Sequence, residues 1–266
     1  MAETITYEVD GRVATVTLQR PEKLNAITRQ LQVELLAALA EAEADPNVHV
    51  AVVTGAGRGF SAGYDLAGGN AHGGGVTGDR DWLEQVLHGW LAIWDLRLPV
   101  IAKVHGVCLA GGTQLAAICD ISYVTQDCKV GTPQLPLGAG YVASFWTWFV
   151  GPKKAKEIFF PTGTMISGTE AAEIGLFNRA FPADTIDDAV AAYAARVART
   201  PKDILALQKQ SINRTQELAG FRAALLQGAE IDAIAHGSPS VRAVNKFIAQ
   251  HGLSEALRAF EAGELL

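Results

Sequence analysis

Three short runs of almost wholly apolar residues constrain the fold of this chain most strongly. They span Val48–Thr54, Val100–Val104 and Ile121–Thr125. Runs of this length and composition are typical of strands that are buried on both faces of a sheet. Sequence with helical spacing separates them, so the strands need crossover connections and the sheet is expected to be mainly parallel. The chain is therefore predicted to be an α/β protein.

The remaining pattern predicts a hairpin at the start of the chain and helices in its second half. Two β-rich runs within Ile5–Leu18 flank Asp10-Gly11, a pair suited to a tight turn. Thr28 is a suitable N-cap for a helix that ends at Asp45-Pro46. The later predicted helices are Trp82–Trp94, Phe145–Val150, one opened by the capping box Ser167–Glu170, Asp184–Arg199, Lys202–Leu218, Phe221–Ala235 and a last one at Val241–Ala249.

Two stretches before the middle of the chain carry weaker signals. Gly68–Gly78 contains six glycines and no large apolar residue, so we expect a mobile loop. The helix after it presents Trp82, Val86, Trp90 and Trp94 at helical spacing. Such a stripe indicates core packing more often than a ligand platform.

Composition and charge restrict the partners of the chain. Among 266 residues, 22 are basic and 28 acidic, so the net charge of −6 gives no excess of cations for nucleic acid. No run of 18 uncharged apolar residues occurs, and Met1–Asp10 carries three acids and lacks the apolar segment of a signal peptide. Cys108, Cys119 and Cys128 are odd in number and lack metal-site spacing, which favours reduced thiols over reactive cysteines or metal ligands. We expect a cytoplasmic protein that binds no metal, nucleic acid or membrane.

Two glycine-containing junctions follow predicted strands. In Gly55–Leu66 the glycines are spaced GxGxG and no helical pattern begins, so a dinucleotide site is not indicated. In Gly106–Ala116 a helix begins at the glycines. The start of a helix exposes N–H donors and the positive end of its dipole, and this junction is therefore suited to binding an oxyanion.

Together with Arg20–Ala26, these junctions resemble the enoyl-CoA hydratase/isomerase family, the crotonase superfamily. The resemblance covers nearly the whole chain. Four segments carry it: Arg20–Ala26 is similar to RPxxxNA, Phe60–Leu66 resembles F-x-A-G-x-D-[IL], Pro99–Asp120 resembles P-V-I-A-x-V-x-G-x-x-x-G-G-G-x-x-[LM]-x-x-x-C-D, and Thr162–Phe177 resembles TG-x-x-[IL]-x-x-x-E-A-x-x-x-G-L.

The resemblance implies a fold, a substrate class and an assembly. The fold would be a crotonase-like spiral of ββα units over residues 1–195, followed by a C-terminal helical region, 196–266, that is used in trimerisation. The substrate would be an acyl-CoA thioester, so coenzyme A is part of the substrate and no separate cofactor is expected. The chain would form a homotrimer or a dimer of trimers.

The resemblance also implies site residues. The main-chain N–H groups of Tyr64 and Gly111 would bind the thioester oxygen as it becomes an enolate, and preorganised donors of this kind contribute about 2.7–4 kcal/mol each. The implied substrate-binding residues are Lys23, Leu24 and Ala26 around the adenine and phosphates, Ala62, Asp65 and Leu66 near the thioester, and Phe247, an aromatic that closes the CoA site of a neighbouring subunit.

The chain departs from the family pattern at two catalytic positions. Where family hydratases have two glutamates that position water and move its protons, this chain has Gln114 and Gln134. Glutamine forms hydrogen bonds but carries no carboxylate to accept a proton. Because general acid–base catalysis contributes about 10²- to 10⁴-fold per group, ordinary hydration is expected to be severely weakened. An open alternative is that both glutamines line a pocket that binds acyl-CoA without catalysis.

Several other side chains are candidates for a proton carrier or a pocket wall. Tyr141 follows the Leu137-Gly138 turn, and its phenol is either a hydrogen-bonding group for the substrate or a packing residue. The weaker candidates are Glu84 and His88, which also suit solvated helix positions, His105, which suits a satisfied core position, and Trp146 and Trp148, which suit core packing or a pocket for a flat acyl group.

The sequence therefore predicts an enoyl-CoA hydratase/isomerase-like enzyme whose reaction is open. Hydration, dehydration or double-bond isomerisation is the family default. Decarboxylation or C–C cleavage of a CoA thioester is the alternative within the family, since loss of CO₂ generates an enolate without a carboxylate base. A non-catalytic acyl-CoA-binding oligomer is the alternative outside catalysis.

Overall fold

The computed structural model describes residues 3–66 and 75–265, which form two compact units. The first unit comprises the chain up to Tyr64 together with His88–Gly131 and Met165–Phe221. The second comprises Asp65–Leu87, Thr132–Thr164 and the chain from Arg222 onward. Both units are therefore built from separated parts of the sequence. The predicted division into 1–195 and 196–266 stays a prediction.

The first unit contains two sheets. Its strands are β1 (Ile5–Asp10), β2 (Val13–Leu18), β3 (Val50–Gly55), β4 (Val100–Val104), β5 (Val107–Leu109), β6 (Ile121–Thr125), β7 (Lys129–Gly131), β8 (Met165–Ser167) and β9 (Arg179–Phe181). Six of them form one sheet in the order β1-β2-β3-β4-β6-β9, and three form a second in the order β5-β7-β8. In the larger sheet only the β1–β2 hairpin is antiparallel, which confirms the predicted hairpin and mainly parallel sheet.

Several complete helices belong to the same unit. They are α1 (Arg29–Ala44), α3 (Gly111–Ile118), α5 (Gly168–Glu173), α6 (Ile186–Val197) and α7 (Lys202–Leu218), with the 3₁₀ turn Pro21–Lys23 before α1. The hydroxyl of Thr28 accepts the N–H of Leu31, and that of Ser167 accepts the N–H of Glu170, so both predicted caps are confirmed. Apolar side chains of β3, β4, β6 and α6 form a common core. Every residue of β3 is buried, as its apolar sequence predicts.

The second unit is helical. It contains the first part of α2 (Gly75–Asp95), α4 (Tyr141–Phe159), most of α8 (Phe221–His236), α9 (Pro239–His251) and α10 (Leu253–Glu261). The helix α4 is kinked at Gly151, where φ is 78°, and Pro152 follows. Leu135, Val244 and Ala256 form a small core of this unit.

Two expectations about this unit are wrong. Gly75–Gly78 is helical, because a glycine weakens a helix by only about 1 kcal/mol and Val76 packs close to Gly237. The rest of the predicted loop, Gly68–Gly74, lies outside the described residues. Val241–Ala249 is not the last helix, because α10 follows the break at Gly252 and buries Ala256 and Ala259. The sequence of α10 is strongly amphipathic, so helical spacing predicts this helix as well.

Membrane insertion of a helix is not indicated by the described part of the chain. No helix within residues 3–66 and 75–265 is both long and apolar enough to cross a bilayer.

Candidate functional site

The segment Arg20–Ala26 is hydrogen-bonded to the first glycine junction. The amide of the buried Asn25 donates to the carbonyls of Ala56 and Gly59, at 2.9 and 2.8 Å, and its oxygen accepts the N–H of Arg20 at 2.9 Å. Gly55 is required at this point because a Cβ there would lie 2.4 Å from the carbonyl oxygen of Gly59. These hydrogen bonds of Asn25 therefore fix the turn that follows β3.

The two glycine junctions pack directly against each other in the first unit. The N–H of Leu109 donates to the carbonyl of Ser61 at 3.0 Å. A Cβ at Gly112 would lie 2.6 Å from that same carbonyl oxygen, and a Cβ at Gly111 would lie 2.7 Å from Cε2 of Tyr64. Glycine at these two positions thus allows the backbones to meet. The structure brings Tyr64 and Gly111 together, as the family resemblance implies.

The helix α3 begins at this contact with an unusual backbone. Ala110, its N-cap, has φ 45° and ψ −116°, a conformation that glycine adopts more easily than alanine. The N–H of Ala110 donates to the carbonyl of Gly131, while the hydroxyl and N–H of Thr113 both donate to the carbonyl of Ala110. Gly111 therefore occupies the first turn of α3, where N–H donors have no acceptor within the helix.

A chain of three neutral side chains lies beside this helix start. The indole Nε1–H of Trp90 donates to the hydroxyl of Tyr64 at 2.9 Å, and that hydroxyl donates to Oε1 of Gln114 at 2.7 Å. Trp90 and Gln114 are fully buried, and Tyr64 is half-buried. Since an indole nitrogen only donates and a hydroxyl does both, the chain has one direction, from Trp90 to Gln114.

The residues assigned to CoA binding in the first unit lie near Tyr64. The N–H of Ala62 donates to the carbonyl of Leu24 at 2.9 Å, and Ile27 forms a parallel bridge with Tyr64. Ala26 is half-buried and Lys23 is exposed to solvent. The structure thus groups Lys23, Leu24, Ala26 and Ala62 along one edge of the junction.

The remaining assigned residues belong to the second unit. Asp65 and Leu66 follow Tyr64 in the chain and are half-buried, as is Gln134. Tyr141 is buried, and its hydroxyl donates to the carbonyl of Leu83 at 3.2 Å, which links α4 to α2 as a packing residue would. Its role in catalysis stays a prediction.

The segment before Tyr141 is held by a buried carboxylate that sequence reasoning did not identify. Oδ1 of Asp232, on α8, accepts the N–H groups of Ala139, Gly140 and Tyr141 at 2.6, 2.8 and 3.3 Å. Gly138 allows this approach, since a Cβ there would lie 2.6 Å from the same oxygen. Nothing in the local sequence around Asp232 indicates a partner 91 to 93 residues away.

The weaker candidates take structural positions. His88 is exposed, and Glu84 forms an ion pair with Arg80 at 2.7 Å, which are the solvated positions that the sequence allowed. His105 contacts the carbonyl of Gly57 through Nε2 at 3.1 Å. The aromatic candidates belong to the second unit. Trp146 is buried edge-on against Phe159, and Trp148 is half-buried. Phe247 packs with the core around Leu135, and its ring is tilted by 40° to that of His251, with centroids 4.5 Å apart.

Trp90 and Asn25 are the polar groups of the first-unit site that sequence reasoning did not single out. The sequence pattern indicates Trp90 only as part of an apolar stripe and Asn25 only as one residue of a motif. A polar atom on a predicted core residue is the signal that could have found Trp90, because buried polar groups need partners.

Burial keeps the three cysteines in their neutral form. It raises the pKa of Cys128 to about 12, with a further contribution from Asp127, and it also raises the pKa of Cys108 and Cys119. Within the described residues, no group of three or more His, Cys, Asp or Glu side chains is arranged to hold a metal ion.

Comparisons with known proteins agree with the motifs. Residues 8–240 match the family model described as enoyl-CoA hydratase/isomerase. A curated relative from Mycobacterium tuberculosis (strain ATCC 25618 / H37Rv), named "Putative enoyl-CoA hydratase EchA13", is 35% identical over 249 residues, covering 84% of this chain and 77% of its own. The crystal structure of an enoyl-CoA hydratase/isomerase from Xanthobacter autotrophicus Py2 superposes with a TM-score of 0.92 at 35% identity over 99% of both chains. That of an enoyl-CoA hydratase from Mycobacterium smegmatis gives 0.89 at 32% identity over 98% of this chain and 94% of its own.

Proposed function

Because this chain belongs to the enoyl-CoA hydratase/isomerase family, we propose that it converts an acyl-CoA thioester through an enolate held by the main-chain N–H groups of Tyr64 and Gly111. The family is one of enzymes, and the crotonase-like fold is shared with solved members over nearly the whole chain. Coenzyme A enters as part of the substrate.

The observation that carries the proposal is the contact between the two glycine junctions. It places the ring of Tyr64 against Gly111 in the first turn of α3, and a Cβ at Gly63, the residue before Tyr64, would lie 3.2 Å from the main-chain nitrogen of Gly111. At a helix start the N–H groups and the helix dipole both favour negative charge. Two such donors act on charge that develops only as the enolate forms, so they lower the barrier more than they strengthen ground-state binding. Because both donors are main-chain groups, side-chain substitution does not remove them.

Substrate binding is assigned to residues beside the same glycine junction. We assign the adenine and phosphates to Lys23, Leu24 and Ala26, and the thioester region to Ala62, Asp65 and Leu66. The exposed ammonium of Lys23 supplies positive charge for phosphate on a chain of negative net charge. Phe247 is assigned to the CoA site of a neighbouring subunit. Tyr141 is assigned to the acyl group, with its hydroxyl exchanging the carbonyl of Leu83 for an oxygen of the substrate.

Hydration or isomerisation is the first candidate reaction, with Gln114 and Gln134 orienting water or substrate. Decarboxylation is the second, and the neutral chain from Trp90 to Gln114 favours it, since this group contains no carboxylate to remove a proton. In that reaction the bond from Cα to the substrate carboxylate breaks, its electron pair becomes the enolate, CO₂ leaves, and Cα then takes a proton. The thioester oxygen carries the negative charge in both reactions.

Mass spectrometry of a small acyl-CoA panel tests these reactions. Crotonyl-CoA and malonyl-CoA are incubated with the wild type and with the Gln114→Glu/Gln134→Glu variant. Gain of water by crotonyl-CoA with wild type supports hydration, and loss of CO₂ from malonyl-CoA supports decarboxylation. Hydration by the variant alone indicates that the site is intact and that the natural reaction is different.

A matched control separates site chemistry from added charge. Gln126→Glu/Gln250→Glu introduces the same two carboxylates at exposed positions and is expected to leave every product unchanged. If no thioester reacts with any variant while CoA thioesters still bind, the chain is a non-catalytic acyl-CoA-binding protein. If no thioester binds, the proposed function is wrong.

We also propose a homotrimer, or a dimer of trimers, located in the cytoplasm. Large apolar side chains are exposed on α7, where Leu218 is 81% exposed, and on α8, where Ile234 is 61% exposed. Exposed apolar side chains of this size favour burial by another subunit. The three neutral thiols suit a reducing compartment. Analytical ultracentrifugation is expected to give three or six times the 28.2 kDa of one chain.

A further inference from the structure

The N–H of Gly111, one of the two proposed donors, belongs to the peptide unit that joins Ala110 to Gly111. The carbonyl of the same unit is that of Ala110. Because a trans peptide is planar, its C=O and N–H bonds point in opposite directions. Whatever holds the carbonyl of Ala110 therefore also sets the direction of the N–H of Gly111.

Three donors in the first turn of α3 hold this carbonyl. The hydroxyl of Thr113 donates to it at 2.7 Å, the N–H of Thr113 at 2.9 Å and the N–H of Gln114 at 3.4 Å. Thr113 is fully buried, and its hydroxyl forms the shortest of the three hydrogen bonds. The carbonyl of Ala110 thus points into the helix, and the N–H of Gly111 points out of the start of the helix.

The N–H of Gly111 has no acceptor among the residues that the structure describes, although this glycine is buried. Buried main-chain N–H groups rarely lack an acceptor, so a group without one is suited to an atom of a ligand. In the proposed function that atom is the thioester oxygen.

The orientation of this peptide strains Ala110, whose φ is 45° and whose ψ is −116°. Turning the peptide over changes ψ by about 180°, to about 64°, which lies near the left-handed helical region at about φ +57° and ψ +47°. Alanine tolerates that region better than the present one, and a glycine at position 111 accepts the matching change of its own φ. The reversed peptide would relieve Ala110 but would direct the N–H of Gly111 into the helix.

We propose that Thr113 is a positioning residue whose hydroxyl keeps the strained Ala110–Gly111 peptide from turning over, so that the N–H of Gly111 stays directed at the thioester oxygen. The inference rests on the proposed function, because it requires that acyl-CoA binds with this oxygen at Gly111. It adds a buried side chain that acts through the main chain and not by contact with the substrate.

Isotope-edited infrared spectroscopy of bound butyryl-CoA, unlabelled and ¹³C-labelled at the thioester carbonyl, tests the inference without requiring turnover. Hydrogen bonds to the thioester oxygen lower the C=O stretching frequency, so wild type is expected to lower it on binding. Thr113→Val keeps the branched shape and removes the hydroxyl. It is expected to lose about half of the lowering, since one of two donors turns away. Thr113→Ser keeps the hydroxyl and is expected to retain the wild-type lowering.

A double variant distinguishes positioning from packing. Glycine is not strained at the dihedral angles of Ala110, so Ala110→Gly removes the reason for the peptide to turn over. The two main-chain donors then hold the carbonyl unopposed, and Ala110→Gly/Thr113→Val is expected to recover most of the lowering that Thr113→Val loses. A packing defect at position 113 is not repaired by a change at position 110, so a double variant without recovery overturns the positioning role.

A second buried threonine of the first unit is the control. The hydroxyl of Thr54 donates to the carbonyl of Lys103 at 3.0 Å, and Thr54→Val removes it in the same way. This variant is expected to give the wild-type spectrum. A loss equal to that of Thr113→Val would show a general effect of removing a buried hydroxyl and would overturn the inference.

The possible failures are distinguishable. If wild type and Thr113→Val lower the frequency equally, the inference is wrong and the proposed function stands. If butyryl-CoA binds to wild type without any lowering, or does not bind to the folded protein, both are wrong. Circular dichroism confirms that each variant is folded, and Thr113→Ala, with the same loss expected, replaces Thr113→Val if the valine variant does not fold.

Discussion

The first unit buries two sets of polar side chains that differ in charge and in what they connect. Nζ of Lys209, on α7, donates to Oδ2 of Asp120 at 2.8 Å and to the carbonyls of Ile93 and Leu98 at 3.1 Å each. The same Oδ2 accepts the N–H of Val100 at 2.7 Å. The chain from Trp90 through Tyr64 to Gln114, in contrast, contains no charge.

The difference separates a buried ion pair that joins distant elements from a neutral hydrogen-bonded chain beside the start of α3. Lys209 joins α7 to the end of α2 and the start of β4, and each partner satisfies part of its desolvated charge. Burial raises the pKa of Asp120, and Lys209 opposes that rise. Losing one member leaves an uncompensated buried charge, whereas losing one member of the neutral chain leaves only an unsatisfied dipole.

Removing the ammonium group breaks the charged set and has the largest expected effect. Lys209→Met keeps most of the apolar length but leaves Asp120 without its cation. We expect the free energy of unfolding to fall by about 3–5 kcal/mol, measured by urea denaturation. Lys154→Met, which removes one partner of an exposed ion pair with Glu157, is the control and is expected to cost about 0–1 kcal/mol. Equal losses in the two variants would contradict the assignment of Lys209 as a buried anchor.

A buried carboxylate of the second unit, Asp232, tests how much main-chain N–H donors contribute beside an imidazole, that of His236, whose Nε2 lies 3.5 Å from Oδ2 of Asp232. Asp232 accepts three consecutive main-chain N–H groups at the start of α4. Because hydrogen bonds to a charged group contribute about 1.5–3 kcal/mol, Asp232→Ala is expected to destabilise the protein by about 2–3 kcal/mol.

The conservative variant distinguishes the charge of Asp232 from its geometry. Asp232→Asn keeps one acceptor oxygen for the same N–H groups, so its loss in urea denaturation should be smaller than that of Asp232→Ala. A loss as large as that of Asp232→Ala would show that the negative charge, rather than the acceptor, holds the segment.

Sequence patterns predicted the elements of the fold well and the contacts among polar side chains poorly. The helix at Lys202–Leu218 and the cap at Ser167 were predicted, because helical spacing and capping are local properties. The family resemblance, rather than any spacing, is what implies that Tyr64 and Gly111 lie together. The partners of Lys209 and the main-chain N–H groups bound by Asp232 could not be predicted, since they lie about 90 residues or more away in the chain and no periodicity indicates them.

Apolar patterns were also incomplete as a guide to the site. Helical spacing places Trp82, Trp90 and Trp94 on one stripe, but it does not show that the Trp90 indole donates to a phenol. Where two glycines were expected to begin α3, the residue before them, Ala110, adopts a positive φ that alanine disfavours. A sequence pattern indicates which residues are buried, but not which polar atoms form hydrogen bonds with each other.

Strain at Ala110 provides a smaller test, of opposite sign. Alanine at φ 45° and ψ −116° is strained, and glycine adopts this region more readily. Ala110→Gly is therefore expected to stabilise the protein by about 1 kcal/mol in urea denaturation, with the neutral chain beside it unchanged. Ala117→Gly, inside α3, is the matched control and is expected to destabilise by about 1 kcal/mol. Destabilisation by both variants would show that the cap of α3 is not strained.

The smallest expected effect concerns the buried cysteine thiols, which burial keeps neutral. Burial raises the pKa of Cys128 to about 12 and raises that of Cys108 as well, so at about pH 8 almost no thiolate forms at either sulfur. Folded wild type is expected to show no fast reaction with Ellman's reagent, while all three cysteines react in guanidinium chloride. Ser211→Cys, which adds an exposed thiol on α7, should give one fast equivalent under the same native conditions. A fast equivalent in the wild type would identify a reactive cysteine. The buried thiols would then differ from the Trp90–Tyr64–Gln114 chain, whose buried groups are neutral.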